Sequence, residues 1–136
     1  MAREPPETEG RAPRGLVAIL RHFLDTYAMV EIIRGNPNYK KYVGGEFAVL
    51  YTNLLELHYA LLRDFDRATA DRHVEVFRAH LVPLDLEWIP KASELKLRKK
   101  VSYGDALGYV AAQALNVPFL TGDDAFKGEP GVEFVK

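Results

Sequence analysis

Short apolar runs alternate along this chain with longer stretches whose apolar residues recur at helical spacing, and no other feature constrains the fold as tightly. The runs are Leu16–Leu24, Phe47–Tyr51, Leu81–Leu84, Val117–Leu120 and Val132–Val135. Their length and their β-branched and aromatic content read as buried strands. Between them the pattern predicts a helix over Tyr27–Arg34, stopped by Gly35, Asn36 and Pro37, and a short helical piece over Asn38–Val43. Next comes a helix whose apolar face is formed by Leu54, Leu55, His58, Leu61, Leu62 and Phe65, followed by helical segments over Asp66–His80, Glu87–Lys100 and Tyr103–Leu115. Strands that alternate with helices must cross over right-handedly into a mostly parallel sheet covered on both faces. Pro83 places Leu81–Leu84 at a sheet edge, because proline offers no N–H to a ladder. The small residues Gly104, Ala106, Gly108, Ala111 and Ala112 suit the last helix for close packing on the sheet.

Composition narrows the class further. The 136 residues make one domain, and with 48% of them hydrophobic the chain can bury a genuine core. Residues 1–15 are different: MAREPPETEGRAPRG is rich in charge, proline and glycine and reads as a disordered tail, leaving 16–136 as the folded domain. That opening lacks the apolar centre of a secretory signal, and no stretch approaches the roughly 18 apolar residues of a membrane span. The absence of cysteine excludes a disulfide framework, a thiol nucleophile and a cysteine-based zinc site, and fits a cytoplasmic protein. A net charge of −1 argues against a strongly basic nucleic-acid coat. A nucleic-acid substrate held through local basic patches and a bridging metal is still compatible with it.

Acidic residues fall where strands hand over to helices. Asp25 closes the first apolar run, Glu56 lies a few residues after the second, Asp105 opens the Tyr103–Leu115 helix, and Asp123 and Asp124 follow VPFLTG. In open parallel sheets the ligand crevice lies beyond the carboxyl ends of the strands. Acids gathered there from distant parts of the chain make a hard, oxygen-rich pocket suited to Mg²⁺ or Mn²⁺. Each acid also has a structural reading. Asn53–Glu56, Ser102–Asp105 and Thr121–Asp124 have capping-box spacing, and Asp25 suits the N-cap of Tyr27–Arg34. The readings are compatible, since the dipole of a helix N-terminus keeps a nearby acid ionised and able to bind metal.

As an ordered set these residues resemble the PIN domain family, and the VapC-type toxins of toxin–antitoxin pairs in particular. The likeness rests on Leu24-Asp25-Thr26, Glu56 within LLELHYALL, Asp105 within SYGDALGYVAAQALNVPFL, and Thr121-Gly122-Asp123-Asp124-Ala125-Phe126. It runs from Ile19 to the end of the sequence. It implies a three-layer α/β/α sandwich, a homodimer, and a Mg²⁺- or Mn²⁺-dependent endoribonuclease acting on RNA. It also implies a small VapB-type antitoxin as partner. By the same resemblance Asp25, Glu56, Asp105 and Asp123 are the catalytic, metal-holding acids, with Asp124 an alternative to Asp123. Thr26 and Thr121 match supporting hydroxyl positions.

Other residues have weaker assignments. Lys96, Arg98, Lys99 and Lys100, with Arg34, Lys40 and Lys41, are candidate RNA-backbone contacts or simply solvated helix ends. His22 and His58 read as core residues, and Trp88 as the anchor of its helix or a base-stacking side chain. The rival functional class is a catalytically silent PIN-fold module that binds RNA or protein, and a nuclease of RNA or rRNA maturation is a second alternative. Other enzymes with related sheets fit less well. A haloacid-dehalogenase phosphatase needs Asp-x-Asp-x-Thr where this chain has Asp25-Thr26-Tyr27, and a dinucleotide binder needs a glycine-rich turn that is missing here.

Overall fold

A computed structural model describes residues 20–136; the segment read as a tail and the first part of the Leu16–Leu24 run lie outside the described residues. The strands are very short: β1 (His22–Leu24), β2 (Phe47–Ala48), β3 (Phe119–Thr121) and β4 (Val132–Phe134). They lie in the order β2–β1–β3–β4, with every pairing parallel. Phe23 stands opposite both Ala48 and Phe119, and Leu120 stands opposite both Leu24 and Glu133.

Because side chains alternate across a strand, neighbouring residues feed separate cores. Phe23, Ala48 and Phe119 face one side, where Ala92 and Leu95 of α4 (Trp88–Arg98) and Ala106, Tyr109 and Val110 of α5 (Tyr103–Leu115) cover them. Leu24, Phe47, Val49 and Leu120 face the other. There they meet Ala28 and Met29 of α1 (Thr26–Arg34), Leu57 and Leu61 of α2 (Tyr51–Asp64), and Ala70 and Phe77 of α3 (Arg67–Phe77). The result is the three-layer α/β/α sandwich with a parallel sheet. Gly108 is what lets α5 lie flat on the strands: a Cβ there would come within 3.1 Å of the Phe23 ring and 3.2 Å of the Phe119 ring.

Several boundaries differ from the sequence reading, each for a local reason. The Phe47–Tyr51 run stops early as a strand, because the Asn53 side chain accepts from the Leu50 N–H at 3.0 Å and makes Leu50 the N-cap of α2. Asn53 therefore sits at N3 rather than at the N-cap, and Glu56 plays no part in a capping box there. The expected apolar face of α2 is corrected as well. Asn53, Leu54, Leu57 and Leu61 are buried, whereas Leu55, Leu62 and Phe65 are exposed. Leucines surround so much of this helix that its period alone does not choose between two faces. Leu81–Leu84 shrinks to one parallel bridge from Leu81 to Val49 at the β2 edge, with Pro83 ending it. Asn38–Val43 appears as a 3₁₀ turn over Pro37–Tyr42, and Asp66–His80 as α3 followed by a 3₁₀ turn, Arg78–His80.

Neither histidine is a core residue. His58 is half-buried and meets Asp71 at 2.7 Å, tying α2 to α3. His22 meets Glu133 at 2.9 Å, and Tyr42 donates its hydroxyl to the same carboxylate. Trp88 packs against the α4–α5 core, as the anchoring reading expects. Among the described residues no helix is long and apolar enough to cross a membrane.

Candidate active site

The strand order reverses direction between β1 and β3: from β1 the chain builds outward to β2 on one side, and through β3 to β4 on the other. Such a reversal opens a crevice at the carboxyl ends of the two central strands. Asp25 follows β1, and Thr121 ends β3.

Asp25 is only 1% exposed, and both of its oxygens are engaged. Oδ1 accepts from the Thr26 N–H at 2.8 Å, capping α1, and Oδ2 accepts from the Thr121 hydroxyl at 2.7 Å. The Thr121 Oγ1 in turn accepts from the Asp123 N–H at 3.0 Å. One threonine thus locks the acid of the first strand to the loop carrying the last. Asp123 caps the 3₁₀ turn Asp124–Phe126 through an Ala125 N–H bond of 2.9 Å. Ser102 caps α5, accepting from the Asp105 N–H at 3.0 Å, and so starts the helix that presents the Asp105 side chain. Glu56 arrives from the second turn of α2, and its Oε1 lies 3.3 Å from the Thr26 hydroxyl.

Asp105 is the acid that each of the others influences or is influenced by, pair by pair. It lies within hydrogen-bonding reach of Asp25 and close enough to Glu56 and Asp123 for their charges to repel. Burial, followed by the facing Asp105 charge, holds the Asp25 carboxyl well above the usual carboxylate range. Burial also raises Asp105, with the charge of Asp123 adding to it. Two carboxyls facing each other in a buried site share a proton, and their titration belongs to the pair. Burial raises Glu56 too, opposed by hydrogen bonds from Ser102, Thr26 and the Gly104 N–H. Asp124 does not join the cluster: it is exposed and ion-paired to Lys136 at 3.1 Å.

The acids meet pairwise rather than at one point. Among the described residues no three histidine, aspartate or glutamate side chains form a ready ion-holding group. That arrangement still fits Mg²⁺ or Mn²⁺, because such ions are usually held by one or two carboxylates and complete their shells with water and substrate phosphate. The donor set is all oxygen, and its carboxyls are raised first by burial and then by one another's charge, a repulsion that a divalent cation relieves.

The chain matches the PIN domain family over residues 22–128, most of its length. It belongs to that family. No curated protein sequence matches it significantly. Solved structures match this PIN domain in fold at low identity. VapC20 of Mycobacterium tuberculosis, described as a sarcin-ricin loop cleaving toxin, superposes with a TM-score of 0.72 at 14% identity, covering 85% of this chain and 99% of its own. VapBC2 of Rickettsia felis, solved bound to a DNA fragment from its promoter, gives 0.66 at 18% identity, covering 86% and 100%. A toxin–antitoxin complex from Klebsiella pneumoniae gives 0.64 at 16% identity, covering 82% and 95%.

Much of the basic run is committed within the PIN domain itself. Lys96 donates to the Val101 carbonyl at 2.8 Å and lies over the Tyr103 ring, and Lys99 pairs with Glu129 at 2.9 Å. Arg34 stands 3.9 Å from Asp64, and Lys41 lies over the Tyr42 ring. The sequence reading gave no site role to Ser102, whose hydroxyl also reaches Glu56, or to Gly104. The capping spacing of Ser102 was visible; its second partner, from another helix, was not. Thr121→Val keeps the shape of the buried side chain but removes the donor to Asp25 and the acceptor of the Asp123 N–H. It should lower unfolding free energy by about 1–3 kcal/mol, measured by urea denaturation in EDTA.

Proposed function

We propose that this PIN domain is a Mg²⁺- or Mn²⁺-dependent endoribonuclease and the toxin of a VapBC-type pair. What supports the reading is the pairwise approach of Asp25, Glu56 and Asp123 to Asp105 near the reversal between β1 and β3. A structural role accounts for one oxygen of Asp25 and one of Asp123, as caps. It does not account for packing Asp105 against Asp25, which is unfavourable without a cation. In this reading Asp25, Asp105 and Asp123 hold the metal, and Glu56 binds directly or through water. When bound, such an ion supplies the Lewis acidity that activates water and offsets phosphate charge.

The chain's own contributions follow from the hydrogen bonds. Thr121 fixes Asp25 and the Asp123 backbone together, so the acids of β1 and the β3 loop cannot drift apart. Thr26 ties Glu56 to the first turn of α1. Leu24 and Leu120, which directly precede Asp25 and Thr121, are fully buried. The toxin role and a VapB-type antitoxin partner are supported by the fold shared with toxin–antitoxin proteins, and the homodimer follows from the family resemblance alone. The test is cleavage of a labelled single-stranded RNA by the full chain, with EDTA and then with Mg²⁺ or Mn²⁺ restored. The expected result is internal cuts that stop with EDTA and return with metal. Cleavage that persists in EDTA, or RNA binding with no cleavage under any divalent ion, would overturn the reading in favour of the silent module.

A further inference from the structure

Glu56 belongs to α2, yet its carboxylate is seated on α5. A Cβ built at residue 104 would lie 2.5 Å from Glu56 Oε1, 2.7 Å from its Cδ and 2.8 Å from its Oε2, and these are the nearest atoms it would meet. The space a side chain would fill at 104 is the space the carboxylate fills. Around it stand the Thr26 hydroxyl, the Ser102 hydroxyl and the Gly104 N–H. That N–H lies in the first turn of α5, where amides lack partners within the helix and a carboxylate is welcome.

Among the described residues nothing else asks for glycine at this position. Gly104 is not among the glycines with positive φ, so an alanine fits its backbone. It lies inside a helix of 13 residues, where alanine is the better helix former. We propose that Gly104 is a positioning residue: the missing side chain admits the Glu56 carboxylate onto the start of α5 and fixes it beside Asp105. Two helices from opposite sides of the sheet are thereby joined at one carboxylate. The proposal rests on the nuclease reading only where it concerns rate.

Gly104→Ala should melt at or above the wild-type temperature, because the obstructing atoms are the free end of a flexible side chain. Its kcat on RNA should fall roughly 10- to 100-fold with KM little changed, the scale expected when a group is misplaced by about 1 Å. Glu56→Asp draws the carboxylate back by one methylene. It should slow the wild-type chain but speed the Gly104→Ala chain, a sign reversal that two independent sites do not give. A second measurement needs neither metal nor activity. In EDTA, Glu56→Gln should move the backbone amide resonances of residues 102–105 in the wild-type sequence and leave them in place in Gly104→Ala. Equal resonance changes in both backgrounds, or rate effects that simply multiply, would overturn the proposal. So would a lowered melting temperature in Gly104→Ala that Glu56→Ala fails to restore. A wild-type chain that cuts no RNA refutes the nuclease reading alone, and the resonance comparison still decides the role of Gly104.

Discussion

Asp25→Asn is expected to stop RNA cleavage, lowering the rate at least about 10²-fold, and yet to yield a protein that unfolds at a higher temperature than wild type in EDTA. The gain arises from the same crowding that makes the site. Asp25 is buried against Asp105, and its carboxyl is held well above the usual carboxylate range by burial first and the facing charge second. An asparagine keeps the oxygen that caps Thr26 but replaces Oδ2, the acceptor of the Thr121 hydroxyl, with an amide donor, so the lost Thr121 bond offsets part of the gain. It removes one buried charge without leaving a cavity. A stabilisation of about 1–2 kcal/mol is the scale usual when a strained functional group is relaxed.

The pH dependence gives that prediction a sign. A carboxyl whose folded value lies above its unfolded one binds more protons in the native state, so the stability of the metal-free protein falls as pH rises. The fall begins near the ordinary aspartate value of 3.8 and continues up to the raised folded value. Asp105 and Glu56, both raised, act in the same direction. Melting temperatures measured from pH 5 to 8 in EDTA should slope downward in wild type and more gently in Asp25→Asn. If the proposed site holds Mg²⁺ in the native state alone, the ion should raise the wild-type melting temperature at neutral pH and that of the variant far less. A variant less stable than wild type at neutral pH, with no change in slope, would show that Asp25 is chiefly a helix cap.

The sheet was legible because its signal is local. Phe23, Leu24, Phe119 and Leu120 are apolar on both sides of each strand, which only a sheet covered on both faces requires. The order of the acids along the chain was legible for a related reason, since strand ends and helix starts coincide in this architecture. What stayed hidden depends on pairs far apart in sequence. The face that α2 buries was ambiguous among Leu54, Leu55, Leu57, Leu61 and Leu62. It is set by Asn53 capping Leu50 and by packing on the sheet, and this choice of face swings Glu56 toward the crevice rather than into solvent. The pairing of Asp124 with Lys136, which leaves Asp124 turned to solvent, has no visible counterpart in the sequence. His22 and His58 looked like core residues because their partners, Glu133 and Asp71, come from other elements.

Gly122→Ala should be the most damaging single-methyl change at this site. Gly122 lies between Thr121 and Asp123, and a Cβ there would overlap the Val135 carbonyl oxygen and approach the Tyr27 ring, with its Cζ at 2.7 Å. The Val135 oxygen cannot simply swing away. It is main chain, it accepts from the Tyr39 hydroxyl at 2.6 Å, and the Val135 N–H donates to the Thr121 carbonyl at 2.9 Å. Relief therefore means pulling the residue after β4 off β3 or shifting the first turn of α1, where Tyr27 follows the Asp25 cap. Overpacking of this kind, with a ladder hydrogen bond lost, costs about 3 kcal/mol and should lower the melting temperature by roughly 10 °C. The comparison with Gly104→Ala isolates the cause, since one methyl is added beside one acidic crevice in both. At 104 it meets the movable end of Glu56 and the fold should hold, while at 122 it meets backbone and the fold should yield. Equal melting temperatures for the two variants would mean that the chain end does not pack against the crevice as described, and that the rigidity assigned to the Thr121–Asp123 edge has another source.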